Sequence, residues 1–232
     1  MIDELWENLS AYFKGFLFMG DFTSNYNEIS ELLQKGKAKD IVVAVEKALG
    51  AGAAPADILE KGLISGMSII GGKFKNGDVF VPEVLIAARA MNHASAALKP
   101  ALAEAGVKAA GKATICTVKG DLHDIGKNLV KMMVEGKGIE VEDLGIDCPN
   151  DKIVESVRTS DAKVLLLSAL LTTTMMALKE AIDALKAAGL RDKVKIMVGG
   201  APVTQSFADE IGADAYCPDA ASAADVCRAF YN

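Results

Sequence analysis

The segment Asp121-Leu122-His123-Asp124-Ile125-Gly126 gathers the side chains best able to do chemistry. Asp121 and His123 stand two residues apart with one apolar residue between them. A carboxylate so placed can hydrogen-bond one ring nitrogen of a histidine and leave the other free for a metal, fixing its tautomer and basicity. The same residues also suit a solvated loop or a helix cap, and spacing alone leaves both readings open. A hydrolytic metal site made of His123, Asp121 and Asp124 is a further option. The one other histidine, His93, falls on a predicted helix, where a surface position is its ordinary role. A zinc or iron site built on several histidines is therefore short of ligands. One histidine backed by a carboxylate suits a metal that brings its other ligands with it, as a macrocycle does.

The elements that position this segment can be read from the apolar pattern. After residue 112 short apolar strands alternate with helical stretches. Strands are predicted over 113–118, 139–144, 164–170, 195–198 and 215–217, with helices over 125–134, 152–159, 175–188, 207–211 and 221–230. The solidly apolar run at 164–170 is what the centre of a parallel sheet requires. Such a (βα)5 alternation predicts a doubly wound α/β domain of flavodoxin-like order 2-1-3-4-5. Ligands of such sheets bind beyond the carboxyl ends of the strands, at the switch between strands one and three. The Asp121–Gly126 segment follows strand one and so falls in that crevice.

Residues 26–104 read as four helices with short connections, a small bundle. Pro55 and Pro82 suit early helical positions, and Asn76-Gly77 signals a turn. Residues 105–112 read as a linker, within a stretch from 100 rich in Ala, Gly and Lys that also resembles a frayed helix end. Residues 1–25 hold Trp6, Tyr12, Phe13, Phe16, Phe18 and Phe22, with Leu5, Leu9, Tyr12, Phe13 and Phe16 at helical spacing. They predict an amphipathic helix or arm, packed on its own domain or free for docking. The expected division is thus 1–25, 26–104, 105–112 and 113–232.

The 232 residues, 51% apolar and 24% charged, suffice for a substantial core without metal or disulfide staples. The net charge of −6 and the scatter of Lys and Arg argue against a nucleic-acid partner. The longest apolar runs fall far short of the ~20 residues that span a bilayer, so no membrane partner is expected. The start Met1-Ile2-Asp3-Glu4 is acidic where a secretory signal is basic. Cys116, Cys148, Cys217 and Cys227 form no CxxC pair, which fits free thiols in a reducing cytoplasm.

Asp121-Leu122-His123-Asp124-Ile125-Gly126 resembles the D-x-H-x-x-G motif of cobalamin-binding domains, and the wider segment 117–130 resembles their methyltransferase branch. Ser168-Ala169-Leu170-Leu171-Thr172 is similar to that family's S-x-L segment after strand three. Gly199-Gly200-Ala201 is similar to its GG segment after strand four. The run from Phe74 to Glu83, continuing into Ala87–Met91, resembles the cap module of methionine synthase. The resemblance covers about residues 26–232 and is greatest to the corrinoid methyl carriers of methanogens and acetogens.

It implies a cobalamin or related corrinoid whose own base has left cobalt, with His123 as axial ligand (base-off/His-on). Asp121 would hold the His123 ring. The family's relay continues to a serine, and Thr174 stands there with a hydroxyl that donates and accepts in the same way. Asp124, Gly126, Ser168, Leu170, Thr172, Gly199 and Gly200 would bind the cofactor and its displaced tail. Phe74 and Val81 would cover the other cobalt face, Val81 being smaller than the family's usual residue. The implied function is a carrier without catalytic residues of its own. It would accept a methyl group on Co(I) from a substrate-specific methyltransferase. It would deliver that group from methyl-Co(III) to a second methyltransferase acting on tetrahydrofolate or coenzyme M. A reductive activase would restore oxidised cobalt. A cobalamin-binding regulatory sensor is the alternative.

Overall fold

The computed structural model describes residues 21–231. The amphipathic helix expected before residue 20 lies outside them. Helices come first. α1 (Thr23–Gln34) buries Tyr26, Ile29 and Leu33, and α2 (Ala38–Gly50) buries Ile41, Val45 and Ala48, the i, i+3/i+4 stripes that a bundle needs. α3 runs through Pro55–Asp57, a π-helical stretch Ile58–Ile64, and Ser65–Asn76. Gly62 and Gly66 face α1 so closely that a methyl on either would meet Ile29 or Ser30 at 3.0–3.1 Å. Gly77, at φ 79°, ends the helix in the left-handed conformation that a side chain resists. α4 (Val81–Glu104) starts with Pro82 in its first turn, and the Glu83 carboxylate accepts the free Phe80 N–H at 3.0 Å. It continues through Pro100 to Glu104, so helix occupies part of the stretch that composition alone assigns to a linker or frayed end.

Five parallel strands follow: β1 (Gly111–Thr117), β2 (Ile139–Asp143), β3 (Val164–Ser168), β4 (Lys195–Gly199) and β5 (Ala215–Tyr216), in the order β2-β1-β3-β4-β5. The helices between and after them are α5 (Ile125–Glu135), α6 (Asn150–Thr159), α7 (Met175–Ala187), α8 (Gln205–Ile211) and α9 (Ala220–Ala229). This is the expected flavodoxin-like domain behind a helical bundle. β3 has both neighbours, and Val164 through Leu167 are buried throughout. It ends at Ser168, two residues earlier than its apolar run predicts. Beyond that point the backbone turns away and gives the Leu170 N–H to a side chain instead of the ladder.

The bundle rests on α5 and α9 through α3. Small residues receive large ones: Met67 packs on Gly136, and Met133 reaches Gly71. Lys137 joins the two parts, 3.0 Å from Ser68 Oγ and 2.7 Å from Asp225. This packing sets the far end of α3, with Phe74, over the carboxyl ends of the strands. No helix among the described residues is long and apolar enough to cross a membrane.

Candidate functional site

The loop between β1 and α5 is tied down at each step. Thr117 Oγ1 donates to the His123 carbonyl at 2.8 Å. Gly120, at φ 84°, donates its N–H to Asp147 Oδ1 at 2.7 Å. The Asp147 N–H in turn donates to the Asp121 carbonyl at 2.9 Å. Asp147 comes from the loop after β2 and is the only non-glycine residue with positive φ among those described, at 47°. Sequence reading missed it. The signal that could have found it is the Gly145-Ile146-Asp147 turn, since Asp tolerates the left-handed region better than most residues.

Asp121 has no exposed side-chain surface. Its Oδ1 lies 2.7 Å from His123 Nδ1 and also accepts the His123 backbone N–H at 3.0 Å. Its Oδ2 accepts the Leu170 N–H and the Thr174 hydroxyl, both at 2.7 Å. Burial pushes the Asp121 carboxyl up. The Leu170 N–H, the Thr174 hydroxyl and the two groups of His123 outweigh it and hold the acid well below the usual carboxylate range. An ionised carboxylate accepts only, so the proton between the two residues sits on His123 Nδ1. His123 Nε2 then keeps its lone pair and has no hydrogen-bond partner among the described residues. The ring is half exposed and stands on the wall of a cavity.

That cavity encloses about 550 Å³ between the carboxyl half of the sheet and helices α5 and α9. Of the residues the sequence assigns to a site, His123, Asp124, Gly126, Ser168, Leu170, Gly199, Gly200 and Phe74 line it. Asp121 and Thr174 stand behind, holding His123. A methyl on Gly126 would meet nothing within 4 Å, so this position opens the cavity rather than fitting a neighbour. Gly200 differs: at φ 125° a methyl would fall 1.8 Å from the Ala169 carbonyl oxygen. Burial, with Asp219 nearby, pushes the Cys217 thiol on the wall up to about 11, which keeps it neutral.

Two expected residues are not on the wall. Thr172 is exposed in the turn before α7. Val81, the first residue of α4, packs against the apolar core. Among the residues of the proposed cover, Phe74 alone reaches the cavity.

Residues 111–227 match a family model described as a B12 binding domain, and residues 26–99 match a second model of the same description. The chain belongs to the corrinoid proteins of methyltransferase systems. It is 44% identical over 197 residues to a dimethylamine corrinoid protein of Methanosarcina barkeri, covering 84% of this chain and 92% of that one. The methanol:cobalamin methyltransferase complex of M. barkeri contains a chain 30% identical, with a TM-score of 0.80, covering 94% of this chain and 82% of that one. A cobalamin-binding protein of Desulfitobacterium hafniense is 32% identical with a TM-score of 0.76, covering 88% and 98%.

The residues present fit such a group. The Nδ1 of His123 is held by Asp121, and its Nε2 has no partner among the described residues. Beside it, Gly126 leaves open space on the wall of a mostly apolar cavity. Phe74 adds an aromatic ring to the lining of the same cavity.

Proposed function

We propose that this chain holds a corrinoid through His123 and carries a methyl group on it from a donor-specific methyltransferase to a second one. The observation that supports the reading is the Thr174–Asp121–His123 chain of hydrogen bonds, ending in a free Nε2 on the wall of the cavity. When bound, the corrinoid supplies a cobalt centre that takes up a methyl group and gives it away.

The residues divide the remaining work. His123 Nε2 would hold the metal. Asp121 keeps the Nδ1 proton in place and makes Nε2 a better donor. Thr174 and the Leu170 N–H keep Asp121 ionised and aimed. Gly126, Ser168, Gly199 and Gly200, which line the cavity, would bind the rest of the cofactor. Phe74, on the cavity wall, would help to exclude water from the cofactor.

The donor-specific partner is supported by the likeness to the dimethylamine corrinoid protein and to a methyltransferase complex. Methylamines and methanol are accordingly the donor classes to try first. The acceptor side is a second methyltransferase using tetrahydrofolate or coenzyme M, and a reductive activase returns oxidised cobalt to service. The buried free thiols Cys116, Cys148, Cys217 and Cys227 suit a reducing cytoplasm.

The test is an absorbance titration of the apoprotein with hydroxocobalamin, beside His123→Ala. Stoichiometric binding with a His-coordinated spectrum that the variant loses is the expected result. No bound corrinoid, or a spectrum indifferent to His123, overturns the reading.

A further inference from the structure

Thr117, the last residue of β1, holds the loop after β2 by both of its backbone groups. Its N–H donates to the Gly145 carbonyl and its carbonyl accepts the Cys148 N–H, each at 3.0 Å. The Asp143 carboxylate accepts the Gly145 N–H at 2.9 Å, and Lys127 Nζ holds the same carboxylate at 2.6 Å. Residues 145–148 thus form an arch pinned at both ends, with Ile146 and Asp147 as its exposed span.

Asp147 reaches from this arch to the turn Val118-Lys119-Gly120-Asp121. The Asp121 N–H closes the turn on the Val118 carbonyl at 3.2 Å, and Gly120 takes its third position at φ 84°. The Asp147 carboxylate accepts the N–H of the third residue, and the Asp147 N–H donates to the carbonyl of the fourth. A non-glycine backbone at φ 47° persists only where its surroundings over-determine it, and such positions gather at functional sites.

His123 follows two residues after this turn. Its ring Nδ1 and its backbone N–H both meet Asp121 Oδ1, so these bonds fix the ring to the carboxylate within the loop. Leu170 and Thr174 tie the carboxylate to the structure after β3, and the Thr117 hydroxyl ties the His123 carbonyl to β1. The main chain of Gly120 and Asp121 is tied to the arch by Asp147.

We propose that Asp147 is a positioning residue for His123: it holds the turn before the histidine so that Nε2 stands ready for a metal. The inference rests on the corrinoid site proposed above. Asp147 makes no hydrogen bond to the ring and does not line the cavity, so it acts only through the loop. Without its carboxylate the loop divides its time among other arrangements, and ligation weakens by the fraction of loops left in place.

The experiment is a double-mutant cycle on equilibrium affinity for hydroxocobalamin, read by absorbance. It compares wild type, Asp147→Gly, His123→Ala and the double variant, each checked as folded by circular dichroism. Glycine suits φ 47°, so Asp147→Gly removes the carboxylate without adding strain. Asp147→Glu, which keeps the charge but moves the acceptor by one carbon, carries the same cycle should the glycine protein fail to fold.

The expected result is an affinity about threefold or more lower for Asp147→Gly when His123 is present, with a smaller share of the His-coordinated spectrum. In the His123→Ala background the same change should leave affinity within about 1.5-fold. Asp147→Asn, which keeps an acceptor, should stay within about twofold of wild type. Equal losses with and without His123 overturn the proposal, since Asp147 would then act on the fold and not through the ligand. No loss with His123 present overturns it too. A wild-type protein that binds no corrinoid, or whose spectrum ignores His123, is a different outcome: it removes the corrinoid site itself.

Discussion

The Asp147 carboxylate accepts the Gly120 N–H at 2.7 Å from a backbone held at φ 47°. With the Asp147 N–H on the Asp121 carbonyl, this residue grips the loop that bears the histidine on two consecutive residues. Asp147→Ala removes the acceptor and puts alanine in the left-handed region, each worth about 1–2 kcal/mol. Asp147→Asn keeps an acceptor and a tolerated conformation. Urea unfolding of the apoprotein should show a loss of about 2–4 kcal/mol for the alanine variant and under about 1 kcal/mol for asparagine. Equal losses would mean that the carboxylate does not grip the loop.

Thr174 gives its single hydroxyl proton to Asp121 Oδ2 at 2.7 Å, although the Leu171 carbonyl is also within reach at 3.0 Å. The ionised acceptor is the stronger one. Thr174→Val matches the shape and removes the donor, leaving Oδ2 with the Leu170 N–H alone. The apoprotein should lose about 1.5–3 kcal/mol. Thr174→Ser keeps the hydroxyl and should cost less than about 1 kcal/mol, chiefly for one lost methyl. Chemical denaturation at neutral pH checks both, and a serine variant as weak as the valine one would reject the hydrogen bond as the cause.

The sheet order and the place of the Asp121–His123 loop were legible because they follow from alternation of apolar runs and from chain connectivity. The Asp121–His123 contact was legible because it is local. What escaped depends on distant backbone. Leu170 contributes its N–H as well as its side chain, and only the early end of β3 aims that N–H at Asp121. Asp147 lies 27 residues from the Gly120 it holds. Thr172 shares a short motif with Ser168, yet the turn between them leads it out to solvent. The π-helical stretch of α3 contains Gly62, which packs closely on Ile29 of α1, a contact that no local pattern announces.

Gly126 and Gly200 line the same cavity for opposite reasons. Gly126→Ala finds open space and sits in the first turn of α5, where alanine is worth up to about 1 kcal/mol over glycine. Its apoprotein should melt at the wild-type temperature or above while corrinoid affinity falls, because the new methyl enters the cavity. Gly200→Ala would collide with the Ala169 carbonyl at φ 125° and should cost at least about 2–4 kcal/mol in the apoprotein. Thermal melting and corrinoid titration of the pair separate a residue that shapes the site from one that shapes the fold. A Gly126→Ala protein that binds normally would remove Gly126 from the binding site.

Lys127 and Asp143 form a pair at 2.6 Å with only 3% and 21% of their side chains exposed. Burial pushes the Asp143 carboxyl up, but the Lys127 ammonium and the Gly145 N–H outweigh it and hold it below the usual range. Its folded pKa is thus below the unfolded value of about 3.9. The pair therefore stabilises the fold above that value, and the contribution is lost as pH falls through the lower folded pKa. Asp143→Asn leaves a buried ammonium without its anion and should cost about 3–5 kcal/mol at pH 7. The deficit should shrink as pH falls below about 3.9, where the unfolded carboxyl takes up the proton that the folded pair resists. Replacing both partners, Lys127→Met with Asp143→Leu, should recover most of the loss, since neither charge then needs solvating. Urea midpoints of the three proteins at pH 7 and near pH 3 check the sequence of effects. A deficit that grows on acidification would show that the carboxylate is not the stabilising form.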